Sequence, residues 1–245
     1  MEISYKDLNI LFEDNHILVV VKPQGVPSQA DSSGDPDMVN LLKQYLKEKY
    51  NKPGDAYLGL VHRLDRPTGG VMVFAKTSKA AERLNEQKQN GEFEKKYLCI
   101  VEKEVIVRNN TLVNYLKQYN DNEKVKVVPM TEEGAKEAIL EYKVLDVKNN
   151  FSLLQVALLT GRKHQIRVQM ANIGHPIVGD YRYGNASKYK MKLPLCLWAT
   201  ELRFAHPISK EMMVFRVYPP EETPWTLFNI NNFLSINIKN LDKKD

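Results

Sequence analysis

Two stretches, Ala135 to Val147 and Phe151 to Leu159, alternate apolar and polar residues on either side of Lys148-Asn149-Asn150. Period-two alternation over that length, broken by residues that tolerate turns, predicts a long β-hairpin. Similar hairpin logic recurs along the chain. Ile10 to Phe12 and Ile17 to Val21 predict two short strands joined at Asp14-Asn15, and Tyr57 to Val61 and Val71 to Ala75 two more. Tyr97 to Val107, Leu195 to Phe204 and Met213 to Val217 complete the strands. Helical spacing appears at Val39, Leu42, Tyr45, Leu46, Lys49 and Tyr50, stopped by Asn51-Lys52-Pro53-Gly54. A second helix is expected from an N-cap at Ser78 to Gly91, and a third from Thr160-Gly161, with the stripe Ile166, Met170 and Ile173, to Gly174. Strands outnumber helices, which predicts an α+β fold on a mostly antiparallel sheet.

The 245 residues suit one domain, with a core at about 10–219 and a loosely docked tail at 220–245. No run of about 18 apolar residues predicts a membrane span. The amino terminus lacks a secretory pattern, and Cys99 and Cys196 sit apart in apolar strands as expected of reduced thiols, so a cytoplasmic setting is expected. Between Phe151 and Thr200 stand Arg162, Lys163, Arg167, Arg182, Lys188, Lys190 and Lys192 against the single acid Asp180. That stretch exceeds the net charge of +5 of the whole chain, a localised patch suited to phosphates.

Three loops concentrate reactive residues. In His62-Arg63-Leu64-Asp65-Arg66-Pro67-Thr68-Gly69-Gly70, an aspartate flanked by two arginines is expected to stay ionised on a tight loop. Taken alone, Asp65 reads as a turn residue. Thr160-Gly161-Arg162-Lys163-His164-Gln165-Ile166-Arg167 spans a strand-to-helix junction, where free N–H groups attract anions. Gly174-His175-Pro176-Ile177-Val178-Gly179-Asp180 runs into Tyr181-Arg182-Tyr183-Gly184, where aromatic and basic residues interleave.

Together these loops are specific. With the Lys22-Pro23-Gln24-Gly25 turn and the Lys96-Tyr97 strand, they match, in order, the motifs of RluA-type pseudouridine synthases, which this chain resembles from about Ile10 to Pro219. The resemblance implies the mixed sheet of that catalytic fold, with flanking helices and a central RNA-binding cleft. It implies isomerisation of uridine in ribosomal or transfer RNA without cofactor or metal, by a monomer. Many relatives carry an N-terminal S4-type domain, but with the first motif starting within about ten residues of Met1 none is expected here. Asp65 would be the catalytic carboxylate, attacking C1′ or deprotonating C2′. Arg167 would pair with it, Tyr97 would lie against the base, and Arg63 would fill the place the uridine vacates. His62, Arg162, Lys163 and Arg182 are the expected RNA contacts. Two departures stand out: Thr68-Gly69-Gly70 replaces the usual Thr-Ser-Gly, expected to loosen the loop, and Gln29 stands near a usual histidine. A binding module without chemistry and a glycosidase are the competing readings; the latter usually needs two carboxylates.

Overall fold

A computed structural model describes residues 3–51, 53–54, 56–120, 123–184 and 193–234. Lys188, Lys190, Lys192 and the last part of the tail, 235–245, lie outside the described residues. The strands are β1 (Asn9–Glu13), β2 (Ile17–Lys22), β3 (Gly59–Leu60), β4 (Gly69–Ala75), β5 (Glu94–Glu102), β6 (Asn109–Lys117), β7 (Lys126–Val128), β8 (Lys136–Lys148), β9 (Phe151–Leu158), β10 (Leu197–Ala205) and β11 (Met212–Arg216). The helices are α1 (Met38–Lys49), α2 (Ser78–Gln89) and α3 (Gln165–Asn172).

The strands join one sheet in the order β1-β2-β4-β10-β5-β9-β8-β6-β7, with β11 on β10 and β3 on β4. Every pairing is antiparallel except β4 with β10, which touch through Gly69–Trp198 and Gly70–Ala199. That parallel contact joins the two halves of the sheet, and it needs both glycines. A β-carbon on Gly69 would lie 2.1 Å from the Trp198 ring, and one on Gly70 2.2 Å from the Ala199 carbonyl oxygen. The expected loosening at Gly69 is therefore corrected: the indole occupies the space that a serine side chain would take.

The long hairpin forms as β8 and β9, turning on Asn149 and Asn150, both at positive φ as a type I′ turn requires. In α1 the Asp37 carboxylate caps Val39 and Asn40, and Met38, Leu41, Leu42 and Leu46 are buried at helical spacing. The cap of α2 is Thr77, one residue before the expected Ser78.

Other boundaries moved for identifiable reasons. The strand expected to reach Val107 ends at Glu102, where Lys103 takes a positive φ, and Ile106 and Val107 are exposed. The strand expected over Tyr57 to Val61 is reduced to Gly59–Leu60. Strands β6 and β7 had no sequence signal, since only Leu112 and Leu116 are buried on β6. Helix α3 starts at Gln165 and not at Thr160, because His164 adopts a left-handed φ of 55°. Its residues from Gln165 to Met170 are all buried. Gln169 donates to the carbonyls of Leu112 and Ala138, which ties the helix to the sheet. The described part of the tail is docked, not loose: Trp225, Phe228 and Leu234 are buried in the main core. Cys99 and Cys196 are buried free thiols.

Candidate active site

The Asp65 loop leaves β3 and enters β4, and its shape is set by main-chain hydrogen bonds. Thr68 N–H donates to the Asp65 carbonyl at 2.9 Å, closing a turn through Arg66 and Pro67. The Lys22-to-Gly25 turn at the end of β2 clasps this loop. Lys22 is fully buried, and its ammonium donates to the carbonyls of Pro23, Val26 and Arg66. All three N–H groups are thus used, although burial pulls the pKa to about 7 while the Asp65 charge works the other way. Gly25 N–H also donates to the Arg66 carbonyl, and Gln24 to that of Pro67. Ser28 Oγ accepts from Leu64 N–H at 3.1 Å and donates to the Leu64 carbonyl at 2.8 Å. The residue before the aspartate is thereby locked.

Opposite this loop, α3 presents Arg167. Its Nε and Nη2 donate to both oxygens of Asp180 at 2.8 and 2.9 Å, and its Nη1 to Asp65 Oδ2 at 3.3 Å. Asp180 is buried and also accepts from the N–H groups of Arg182 and Tyr183. Burial opposes both charges, yet the pairing outweighs it, raising the pKa of Arg167 and lowering that of Asp180. The Tyr183 ring covers the guanidinium at 5.2 Å.

His164 closes the network. Its Nδ1 meets Tyr183 Oη at 2.7 Å, and its Nε2 lies 3.7 Å from Asp65 Oδ2. Tyr183 Oη accepts from Val125 N–H, so its proton is directed at Nδ1 and the imidazole N–H at Asp65. Burial lowers the His164 pKa against the pull of Asp65, which favours this neutral ring. Tyr97, on β5, is buried, and burial followed by the Asp65 charge raises its phenol pKa. A cavity of about 800 Å³ opens beside Arg167, between Gln24, Pro67, Lys124, Tyr181 and Leu195. Among the described residues, no three His, Cys, Asp or Glu side chains gather as a metal would require.

A family model described as RNA pseudouridylate synthase matches residues 16–172, a span that contains Asp65, Tyr97 and Arg167. The chain belongs to this family of RNA pseudouridine synthases. An uncharacterized RNA pseudouridine synthase of Aquifex aeolicus is 39% identical over 226 residues, covering 87% of this chain and 70% of that protein. The ribosomal large subunit pseudouridine synthase D of Zymomonas mobilis is 33% identical over 224 residues, covering 88% and 70%. The structure of human RNA pseudouridylate synthase domain containing 4 has the same fold, with a TM-score of 0.72 at 24% identity over 87% of this chain and 89% of that one. The protein is accordingly an isomerase of RNA uridine of the RluA type.

Within this pseudouridine synthase the expected site residues separate. Asp65, Arg167 and Tyr97 come together. Arg63, Arg162 and Lys163 are exposed, and Arg162 also donates to the Glu137 carbonyl. Arg182 is half-buried and donates to the Glu123 carbonyl. His62 is not at the surface, which corrects its place among RNA contacts. It is buried, its Nε2 accepts from Val73 N–H, and its ring stands edge-on to Phe93. Arg66 does not reach Asp65; its guanidinium turns to Asp35, Ser33 and the Gly25 carbonyl. The charge beside Asp65 comes from Arg167, 102 residues away. Sequence reasoning assigned no role to Asp180, His164 or Ser28. Asp180 and His164 lie inside quoted motifs, and as the lone acid of a basic stretch Asp180 could have been picked out.

Proposed function

We propose that this enzyme isomerises specific uridines of ribosomal or transfer RNA, through one catalytic domain acting as a monomer, with Asp65 as its reacting carboxylate. The observation that carries the reading is the single 3.3 Å contact from Arg167 to one Asp65 oxygen. Asp180 engages the other two nitrogens of the guanidinium, Nε and Nη2, so Arg167 orients Asp65 without saturating it. The second carboxylate oxygen stays available for the ribose of a uridine flipped out of its stack. The C1′–N1 bond breaks, uracil turns against the Tyr97 ring, C5 bonds to C1′, and the proton lost from C5 is balanced by one gained at the freed N1. Arg63 takes the place left in the RNA stack, and Arg162, Lys163 and Arg182 hold phosphates. A glycosidase-like use of two carboxylates is disfavoured, since Asp180 is buried and fully bonded.

Tritium release from RNA carrying 5-tritiated uridine tests the assignment. In Asp65→Asn, release falls by more than about 10³-fold while RNA binding and the melting temperature hold. Undiminished release in that variant removes Asp65 from the mechanism.

A further inference from the structure

One cation near the loop before α3, Lys95, lacks a counterpart among the described residues. Lys95 precedes Tyr97 by two residues on β5, so strand alternation puts both side chains on the same face. Lys96, between them, points the other way and pairs with Glu201 at 2.8 Å. Lys95 Nζ would lie 3.3 Å from a β-carbon built on Gly161, so it sits against the bare backbone of the loop before α3. Its charge acts on His62, and the charge of Lys88 acts on Lys95. Lys95 is half-buried and has no hydrogen bond or ion pair among the described residues.

Its neighbours differ in this respect. Lys22 spends its three N–H groups on carbonyls, and Lys88 donates to the Val61 carbonyl and Asn85. Withdrawing a cation from water without an acceptor is costly. Folding does not need this one, because the aliphatic stem alone would pack on the strand. Such an arrangement is accounted for when a ligand brings the missing anion. Only a glycine stands where a side chain would otherwise crowd the amine, which leaves room for that anion.

We propose that Lys95 is an anchor for a phosphate of the substrate RNA, between the Asp65 loop and the loop at 160–164, beside the nucleotide to be modified. Burial and the nearby Lys88 hold the amine at about 8, and an incoming phosphate would stabilise its charged form. This role adds a half-buried contact beside Gly161 to the exposed Arg162 and Lys163.

The proposal rests on the cleft being the RNA site, and the test separates the two. Unmodified transcripts of large-subunit ribosomal RNA and of transfer RNA, carrying 5-tritiated uridine, serve as substrates, and filter binding is followed against salt. Lys95→Met is expected to raise KM about tenfold with kcat within about twofold, and to reduce the slope of log affinity against log salt by about one. Its melting temperature should rise, because a cation without a partner is gone. Lys95→Arg should recover most of KM, and Lys95→Gln gives the same readouts as Met if the thioether packs poorly. Unchanged KM and salt slope in both Lys95→Met and Lys95→Gln overturn the proposal, as does a loss confined to kcat. If the wild-type enzyme releases no tritium from either transcript, the assignment of substrate fails. The salt slope of binding then still decides Lys95 by itself.

Discussion

Asp65 is held on its side of the cleft by main chain, and Arg167 is held on the other side by charge. The Asp65 loop takes its shape from carbonyl and amide groups, clasped by Lys22, Gln24, Gly25 and Ser28. The Arg167 side depends on side chains: Asp180 pairs with the guanidinium, the Tyr183 ring covers it, and His164 bonds to the Tyr183 hydroxyl. The difference suits the two tasks. A reacting carboxylate must be placed without being saturated, and backbone clasps fix its loop while leaving its oxygens open. An orienting guanidinium must not wander, and a buried bidentate partner fixes both its plane and its charge. The backbone-built wall divides its stability among many modest bonds, whereas the charge-built wall concentrates it in one pair.

The sharpest way to break that contrast is Asp180→Ala. It strands the Arg167 guanidinium in a buried site, at an expected cost of about 3–5 kcal/mol in unfolding free energy. Activity should collapse with it, because Nη1 is no longer aimed at Asp65. Denaturant unfolding together with tritium release checks both, and a stable, active Asp180→Ala would show that Arg167 is oriented by something else. On the other wall, Gly69→Ser restores a residue common in the family but drives a side chain into Trp198. A cost of about 1–3 kcal/mol is expected from overpacking. Trp198→Leu should return most of it in the double variant, a coupling that a thermodynamic cycle measures. Additive costs would mean that the indole and the glycine are not matched.

The two walls also differ in how far the sequence reveals them. Pro67, Gly69 and Gly70 announce an irregular loop, and Asn149-Asn150 announce the hairpin, because their conformational limits are local. The β8–β9 alternation is legible for the same reason. What holds the loop is not, since Ser28 reaches Leu64 across 36 residues and looks like any serine. Charges adjacent in sequence mislead: Arg66 flanks Asp65 yet turns to Asp35, while Arg167 arrives from another element. The Lys-Tyr match drew attention to Lys96, but strand period places Lys95 on the Tyr97 side. Strands β6 and β7, the last two of the sheet order, escaped notice because they bury too few apolar residues to leave a pattern.

The mildest perturbation concerns His62, which belongs to the wall built on backbone bonds. Its Nε2 accepts from Val73 N–H, so the ring proton is on Nδ1, which has no partner among the described residues. Burial, with Lys95 and Lys88 nearby, lowers its pKa to about 3. The unfolded chain takes up this proton near the ordinary value of about 6.5, and the folded protein does so only near 3. The stability contributed by the neutral ring is therefore complete above about 6.5 and is lost as the pH falls towards 3. Between those limits it changes by at most about 1.4 kcal/mol per pH unit. In His62→Gln, which keeps an acceptor for Val73 without a titrating ring, stability should fall less steeply from pH 6 to pH 4 than in the wild type. The two should diverge least near pH 7, where tritium release should also be kept. Parallel curves would mean that His62 has the same pKa folded and unfolded, so that burial does not hold the ring neutral.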